Sequence, residues 1–263
     1  MSEIINKEAT NQLPVFSLEG KLALITGGGS GIGFHIAQCM VQAGAKVVIT
    51  GRRESVLQEA VESLGTKATH FVNDITKLAT IPQLIADIEE ANGPIDILVN
   101  NAGINMKKHA VEVTDEDFDR IIQTNLHAVF SITRETGKRM VERKQGSIIM
   151  ITSMAALYGI DRVVAYTASK SAVGGMVKAL STEFSPYNVR INAVAPGFIE
   201  TPMMLTAMNG DPARRDKAMD RTPMGIWGKP DDVGWAVVYL ASPAAKFITG
   251  VSLPVDGGNS IGF

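Results

Sequence analysis

Cysteine is almost absent from this 263-residue chain: Cys39 stands alone, so no internal disulfide can form. Its place on the apolar face of a helical pattern reads as core packing. Long hydrophobic runs are missing too. No uninterrupted apolar stretch reaches the roughly 18 residues of a membrane-span candidate, and "MSEIINKEATNQ" at the start lacks the hydrophobic segment of a secretory signal. The expectation is a cytoplasmic protein with no membrane partner. Charge of one sign is also scarce: the formal net charge is −2, which argues against broad electrostatic attraction to nucleic acid or an anionic surface. The four histidines, His35, His70, His109 and His127, lack the short paired spacing of a zinc motif. No catalytic metal is expected.

What the chain does contain is a large apolar fraction, 45%, with 20% charged residues. That composition supports a sizeable core in one α/β domain. "KLALIT" (21–26) reads as a buried strand running directly into "GGGSGIG" (27–33) and then the apolar-periodic helix "FHIAQCMVQAG". Strand, glycine turn and helix in that order suit a dinucleotide. Glycines let backbone N–H groups approach a pyrophosphate, and the helix start contributes partial positive charge. The alternation continues through "AKVVIT", a helix over about 53–64, "ATHFV", a helix over about 77–91, "IDILVN", one long helix over about 115–142, "GSIIMI", "VRINAVA", a helix near 230–241 and "VSLPVD". Such alternation predicts a doubly wound parallel sheet of about seven strands, helices on both faces, and ligands at the strands' carboxyl ends. The stretch 198–224, rich in Met, Gly, Pro and charge, is expected to be an irregular, mobile lid.

Tyr166 and Lys170 in "AYTASKSAVGGM" lie four residues apart, so one helix face carries both. A free phenol has a pKa of about 10, and a neighbouring ammonium favours its ionised form. The pair can therefore move a proton near neutral pH, with Ser153 able to hold a substrate oxygen beside it. A Tyr/Lys pair at this spacing is by itself more often a solvated face. The preceding dinucleotide signal gives it weight.

Together, Thr26-Gly27-x-x-x-Gly31-x-Gly33, "NNAG" (100–103), Asn125, Ser153 and Tyr166-x-x-x-Lys170 resemble the short-chain dehydrogenase/reductase family, over roughly residues 18–258. The resemblance implies a single Rossmann-type catalytic domain over 18–263 after an extension at 1–17. It also implies a nicotinamide-dependent alcohol dehydrogenase or ketone reductase that assembles as a homotetramer. It assigns catalysis to Asn125, Ser153, Tyr166 and Lys170. Tyr166 would donate the proton, Ser153 would stabilise the developing oxyanion, and Lys170 would lower the phenol's pKa and grip the nicotinamide ribose. Asn125 would open its helix and help hold a water next to the lysine.

For the cofactor, the resemblance implies contacts from Gly27, Ser30, Gly31, Ile32 and Gly33 in the glycine turn. Asp74 and Ile75 would lie beside the adenine, Asn101, Ala102 and Gly103 would support the ribose, and Pro196, Gly197, Ile199 and Thr201 would meet the nicotinamide end. Gly51 stands where NAD-preferring members carry an acid, and Arg52 and Arg53 follow it. A guanidinium fork suits a 2′-phosphate, so NADP(H) is the expected cofactor, with NAD(H) as the alternative. Local strings such as "NNAGIN" and "RTPMGIWGKPDDV" look most like members acting on sugar acids, including gluconate 5-dehydrogenases. Lys107, Lys108 or Arg162 could meet a substrate carboxylate. The competing readings are a 3-oxoacyl-carrier-protein reductase, which would need a basic surface for its acidic carrier, and a nucleotide-sensing protein without turnover.

Overall fold

The computed structural model describes residues 15–262. The first fourteen residues of the expected extension and Phe263 lie outside the described part. Seven strands form one parallel sheet: β1 (Leu22–Thr26), β2 (Lys46–Gly51), β3 (Ala68–Val72), β4 (Ile97–Asn100), β5 (Gly146–Ile151), β6 (Val189–Pro196) and β7 (Ser252–Val255). Their order across the sheet is β3-β2-β1-β4-β5-β6-β7, and every pairing is parallel. The chain winds outward in one direction from β1 to β3, then crosses back to lay β4 on the other side of β1. The crevice at that reversal is where an open α/β sheet receives a ligand.

Burial on both faces explains why the central strands read as continuous apolar runs. Ala23 and Ile25 point to one face with Val47, Ile49, Val99 and Ile151, against α1 (Gly31–Gln42), α2 (Glu54–Leu64) and α9 (Pro230–Ala241). Leu22 and Leu24 point to the other with Val48, Leu98, Ile148 and Met150, against α3 (Ile81–Asn92), α5 (Ala128–Arg143) and α6 (Val164–Phe184). The period-2 alternation thus divides one strand between two cores.

The expected long helix over 115–142 is interrupted. It runs as α4 (Asp115–Ile122), a wide π turn over Gln123–His127, and α5. The Ala128 N–H reaches back five residues to the Gln123 carbonyl, so one extra residue is accommodated around Asn125. Thr114 starts α4 by accepting from the Asp117 N–H, with three acids in the first turn facing the positive helix end. The expected irregular lid also contains regular structure. Pro202–Asn209 forms α7, capped by Thr201, and Pro212–Asp220 forms α8, capped by Asp211. Both helices place proline in the first turn, where its missing N–H costs nothing. None of the described helices is long and apolar enough to cross a membrane.

Candidate active site

The carboxyl ends of β1, β4, β5 and β6 open onto one crevice, and the motifs gather there. Gly27 adopts φ +68°, and a side chain on it would come within 3.1 Å of Ala102 Cα. Gly33 is tighter still: a Cβ would lie 2.3 Å from the Gly27 carbonyl oxygen and 2.4 Å from Asn101 Nδ2. The second asparagine of "NNAG" clamps this turn by donating from Nδ2 to the carbonyls of Thr26 and Gly27, at 3.0 and 3.2 Å. Thr26, which the sequence reading did not single out as a site residue, completes the clamp. Its hydroxyl accepts from the Asn101 and Ala102 N–H groups, both at 3.1 Å. The preceding asparagine, Asn100, is buried and donates to Thr133 Oγ1 at 2.9 Å, fixing β4 to α5.

Ser30 begins α1 without using its hydroxyl as a cap, and the first turn carries no acidic side chain. A tight glycine cradle, a free hydroxyl and an uncompensated helix N-terminus together fit an anionic dinucleotide. Gly33→Ala is expected to abolish NADPH binding, since the clashing atoms are backbone and a clamped amide. Titrating nucleotide fluorescence would check this, with circular dichroism reporting that the variant folds.

Asp74 occupies the loop after β3. One carboxylate oxygen accepts from the Thr76 N–H and hydroxyl at 3.1 and 2.8 Å, which holds its pKa below the usual carboxylate value, with Arg52 adding a smaller pull. The side chain therefore shapes its own turn. Ile75 is buried in the core, so its side chain is unavailable to a ligand. Arg52 and Arg53 are exposed at the end of β2, and among the described residues neither has a carboxylate in salt-bridge range. At the opposite end, Thr201 lies close to Gly31, where an added Cβ would meet Thr201 Cγ2 at 3.9 Å. Its hydroxyl accepts from the Met204 N–H, which leaves its own proton free. Pro196 closes β6, and Gly197 packs so tightly that a Cβ would be 2.7 Å from Asp256 Cα. Ile199 is buried against Gly228, so only its backbone remains for a ligand.

Ser153, Tyr166 and Lys170 converge at the end of β5. The Lys170 ammonium is 5.7 Å from the centre of the Tyr166 ring, and the Ser153 hydroxyl, which accepts from the Ala155 N–H at 3.1 Å, lies close enough to influence the phenol's pKa. Lys170 is 4% exposed and donates to the Ile151 carbonyl at 2.7 Å. Burial brings its pKa down from 10.5 to about 8. The phenol departs from the expectation. Burial raises its pKa, while Ser153 pulls the other way more weakly. The reason is directional: the ammonium is drawn to a backbone carbonyl rather than to the phenolic oxygen.

Asn125 is fully buried, and its amide is consumed by structure. Oδ1 accepts from the Ile104 N–H at 2.8 Å, while Nδ2 donates to the Ile104 carbonyl at 2.8 Å and Ser169 Oγ at 3.2 Å. It pins the loop after "NNAG" to the Tyr166 helix. Ser169, another unanticipated participant, relays that pin by donating to the Tyr166 carbonyl at 2.7 Å. Gly103 closes the circuit, since a Cβ there would lie 3.2 Å from Asn125 Oδ1 and 3.5 Å from the lysine nitrogen.

The three cations considered for a substrate carboxylate already have acidic partners. Lys107 pairs with Asp211 at the start of α8 at 2.7 Å, Lys108 with Asp117 at 2.8 Å, and Arg162 with its neighbour Asp161 at 3.7 Å. A metal centre has no comparable cluster among the described residues.

A family model described as enoyl-(acyl carrier protein) reductase matches residues 27–260. The chain belongs to the short-chain dehydrogenase/reductase family. It is 40% identical to a 2-dehydro-3-deoxy-D-gluconate 5-dehydrogenase of Bacillus subtilis, over 92% of this chain and 96% of that one. It is 38% identical to a 3-oxoacyl-[acyl-carrier-protein] reductase of Thermotoga maritima, over 92% and 98%. Among solved structures, a gluconate 5-dehydrogenase from Burkholderia cenocepacia, in complex with NADP and tartrate, superposes with a TM-score of 0.91 at 35% identity, covering 95% of this chain and 99% of that one. The protein is thus a nicotinamide-dependent oxidoreductase acting on alcohol and carbonyl groups, and the doubly wound fold is the one its sequence implies.

Proposed function

We propose that this short-chain dehydrogenase/reductase interconverts a secondary alcohol and a ketone on a sugar acid of the gluconate class, with NADP(H) as cofactor. The observation that carries the reading is the convergence of Ser153, Tyr166 and Lys170 beside the glycine cradle. The names of two relatives and of a superposable structure support the substrate class. Gly27, Ser30, Gly31, Ile32 and Gly33 would hold the pyrophosphate, Asn101, Ala102 and Gly103 the ribose, and Pro196, Gly197, Ile199 and Thr201 the nicotinamide end. Asp74 and Ile75 would flank the adenine, while Arg52 and Arg53 offer unpaired guanidinium groups to a 2′-phosphate. When bound, the nicotinamide supplies or accepts hydride.

The protein's own part is proton transfer and alignment. Ser153 donates to the carbonyl oxygen, an interaction that strengthens as negative charge develops there. Tyr166, kept neutral by burial, gives its proton to the same oxygen in reduction and must lose that proton before it can act as base in oxidation. Lys170 is mainly protonated at pH 7 and must exchange part of its hold on Ile151 for the ligand. Asn125 acts through position: its amide is committed, and the π turn takes its neighbourhood out of the ordinary helical ladder, where a water could serve the lysine.

The 3-oxoacyl-carrier reading has relatives in its favour. Two lysines that could greet an acidic carrier, Lys107 and Lys108, are already paired with Asp211 and Asp117, which weighs against it. A purely nucleotide-sensing role would leave the complete Ser-Tyr-Lys set without a task. We further read residues 18–263 as one catalytic domain acting in the cytoplasm as a homotetramer, with half-exposed Phe130 on α5 available for subunit contact. A nicotinamide absorbance assay over sugar acids, 3-oxoacyl thioesters and simple ketones tests the proposal. Sugar acids should be turned over fastest, with NADPH preferred to NADH, and Arg52→Ala should cost about tenfold in kcat/KM with NADPH and little with NADH, the size of one partly solvated charge-assisted contact. Equal efficiency with both cofactors, or fastest turnover of the thioesters, would count against it.

A further inference from the structure

The C-terminal turn carries an unusually well-connected asparagine. Asn259 is fully buried, and each polar atom of its side chain has a partner. Oδ1 accepts from the Tyr158 hydroxyl, while Nδ2 donates to the Ala218 carbonyl at 3.2 Å and to Thr222 Oγ1 at 2.9 Å. Its backbone carbonyl accepts from Arg221 Nε at 2.9 Å, and the Arg221 guanidinium lies 4.2 Å over the Tyr158 ring. Tyr158 belongs to the loop that follows Ser153, and its hydroxyl also lies 3.4 Å from the sulfur of Met154. Ala218, Arg221 and Thr222 form the root of the α7–α8 flap. The turn itself is firm, since Asp256 accepts from the Gly258 and Ser260 N–H groups at 3.0 and 2.8 Å and packs against Gly197.

We propose that Asn259 is a positioning residue for the reaction, locking the Ser153 loop and the root of the flap into one register through the C-terminal turn. A ketone held by Ser153 lies between these two walls, so their spacing sets the angle at which the carbonyl meets Tyr166. The glycine cradle stands across the crevice on α1 and has no bond to the node. Loss of Asn259 therefore shifts the carbonyl while leaving the dinucleotide's main anchorage intact. This rests on the catalytic roles proposed above for Ser153 and Tyr166.

Asn259→Ala and Tyr158→Phe in the full chain test it, the second variant removing only one hydroxyl should the first fold poorly. With the best substrate of the unmodified protein, Asn259→Ala should lower kcat/KM on the order of 10²-fold, the scale of a misalignment remote from the chemistry, with the Kd for NADPH nearly unchanged. Tyr158→Phe should produce a smaller loss of the same kind, and the double variant should lose less than the product of the two. Hydrogen–deuterium exchange of the NADPH-bound protein should quicken together in 153–160 and 202–222 for both variants. The inference is overturned if kcat/KM stays near that of the unmodified protein, if NADPH affinity falls in proportion to kcat/KM, or if the two segments do not loosen together. If the unmodified protein turns over no sugar acid, the substrate proposal fails instead, and the exchange pattern still decides the role of Asn259.

Discussion

Replacing Tyr166 with phenylalanine is expected to reduce kcat by about 10²- to 10⁴-fold, the usual contribution of a positioned proton-transfer group, while the Kd for NADPH changes little. In transition-state terms this is about 3 to 5.5 kcal/mol at one oxygen atom. The substitution is nearly isosteric, and the ring keeps its place on α6, so the loss reports the hydroxyl rather than the fold. Because burial raises the phenol's pKa, the proton is in place throughout the neutral range, and carbonyl reduction should be flat there before declining in alkali. Oxidation runs the same step backwards and should climb with pH over the range in which reduction declines. Tyr166→Phe should leave a residual rate lacking both dependences. Steady-state rates in the two directions across the alkaline range would check this, and near-normal turnover by the variant would remove Tyr166 from its assigned role. Ser153→Ala should be less damaging in its pH behaviour. It removes a donor to the oxyanion without removing the proton source, at a cost of about 10²- to 10³-fold in kcat.

Legibility in the sequence followed the physics of each element. Strands β1, β2, β4 and β5 are buried on both faces, so their apolar runs could not be mistaken for solvent-facing segments, and the alternation with helices led directly to the parallel sheet. The glycine turn was legible because backbone proximity excludes side chains at Gly27 and Gly33. The π turn could not be seen as a break in periodicity. It adds a single residue to the ladder, and α4 and α5 each keep an apolar face on either side of it. Helices α7 and α8 were masked by their composition. Proline at both starts and a run of charges read as loop, although each begins with a side-chain cap, from Thr201 and Asp211. The direction of the Lys170 side chain was beyond spacing arguments. Four residues of helix put the ammonium near the phenol, but the nearer hydrogen-bond acceptor is the Ile151 carbonyl, contributed by a strand that sequence proximity does not indicate. The pairing of Lys107 with Asp211 is hidden for the same reason, since it joins segments 104 residues apart.

Lys170→Met is expected to make the cofactor-free protein more stable at neutral pH while destroying its activity. The amine's folded pKa is about 8 against an ordinary 10.5, so between these values the unfolded chain binds more protons than the folded one. Stability of the unmodified protein therefore rises as pH increases from 8 to 10.5, and below pH 8 the full penalty of burying the ammonium is present, about 3 kcal/mol. Methionine is similar in length and removes that penalty. It also leaves the Ile151 carbonyl without its donor, which costs about 1 to 2 kcal/mol. The net gain at pH 7 should be on the order of 1 kcal/mol, and it should vanish or reverse near pH 10.5, where the folded lysine is neutral and the unfolded one is only half protonated, so that little of the burial penalty remains. Urea unfolding of both proteins at the two pH values measures the difference directly. A variant less stable by the same margin at both would show that the ammonium carries no burial cost. The accompanying loss of turnover and weaker NADPH binding would then mark Lys170 as a residue retained for chemistry against the interest of the fold, in the manner expected of a charge kept dry beside a reacting oxygen.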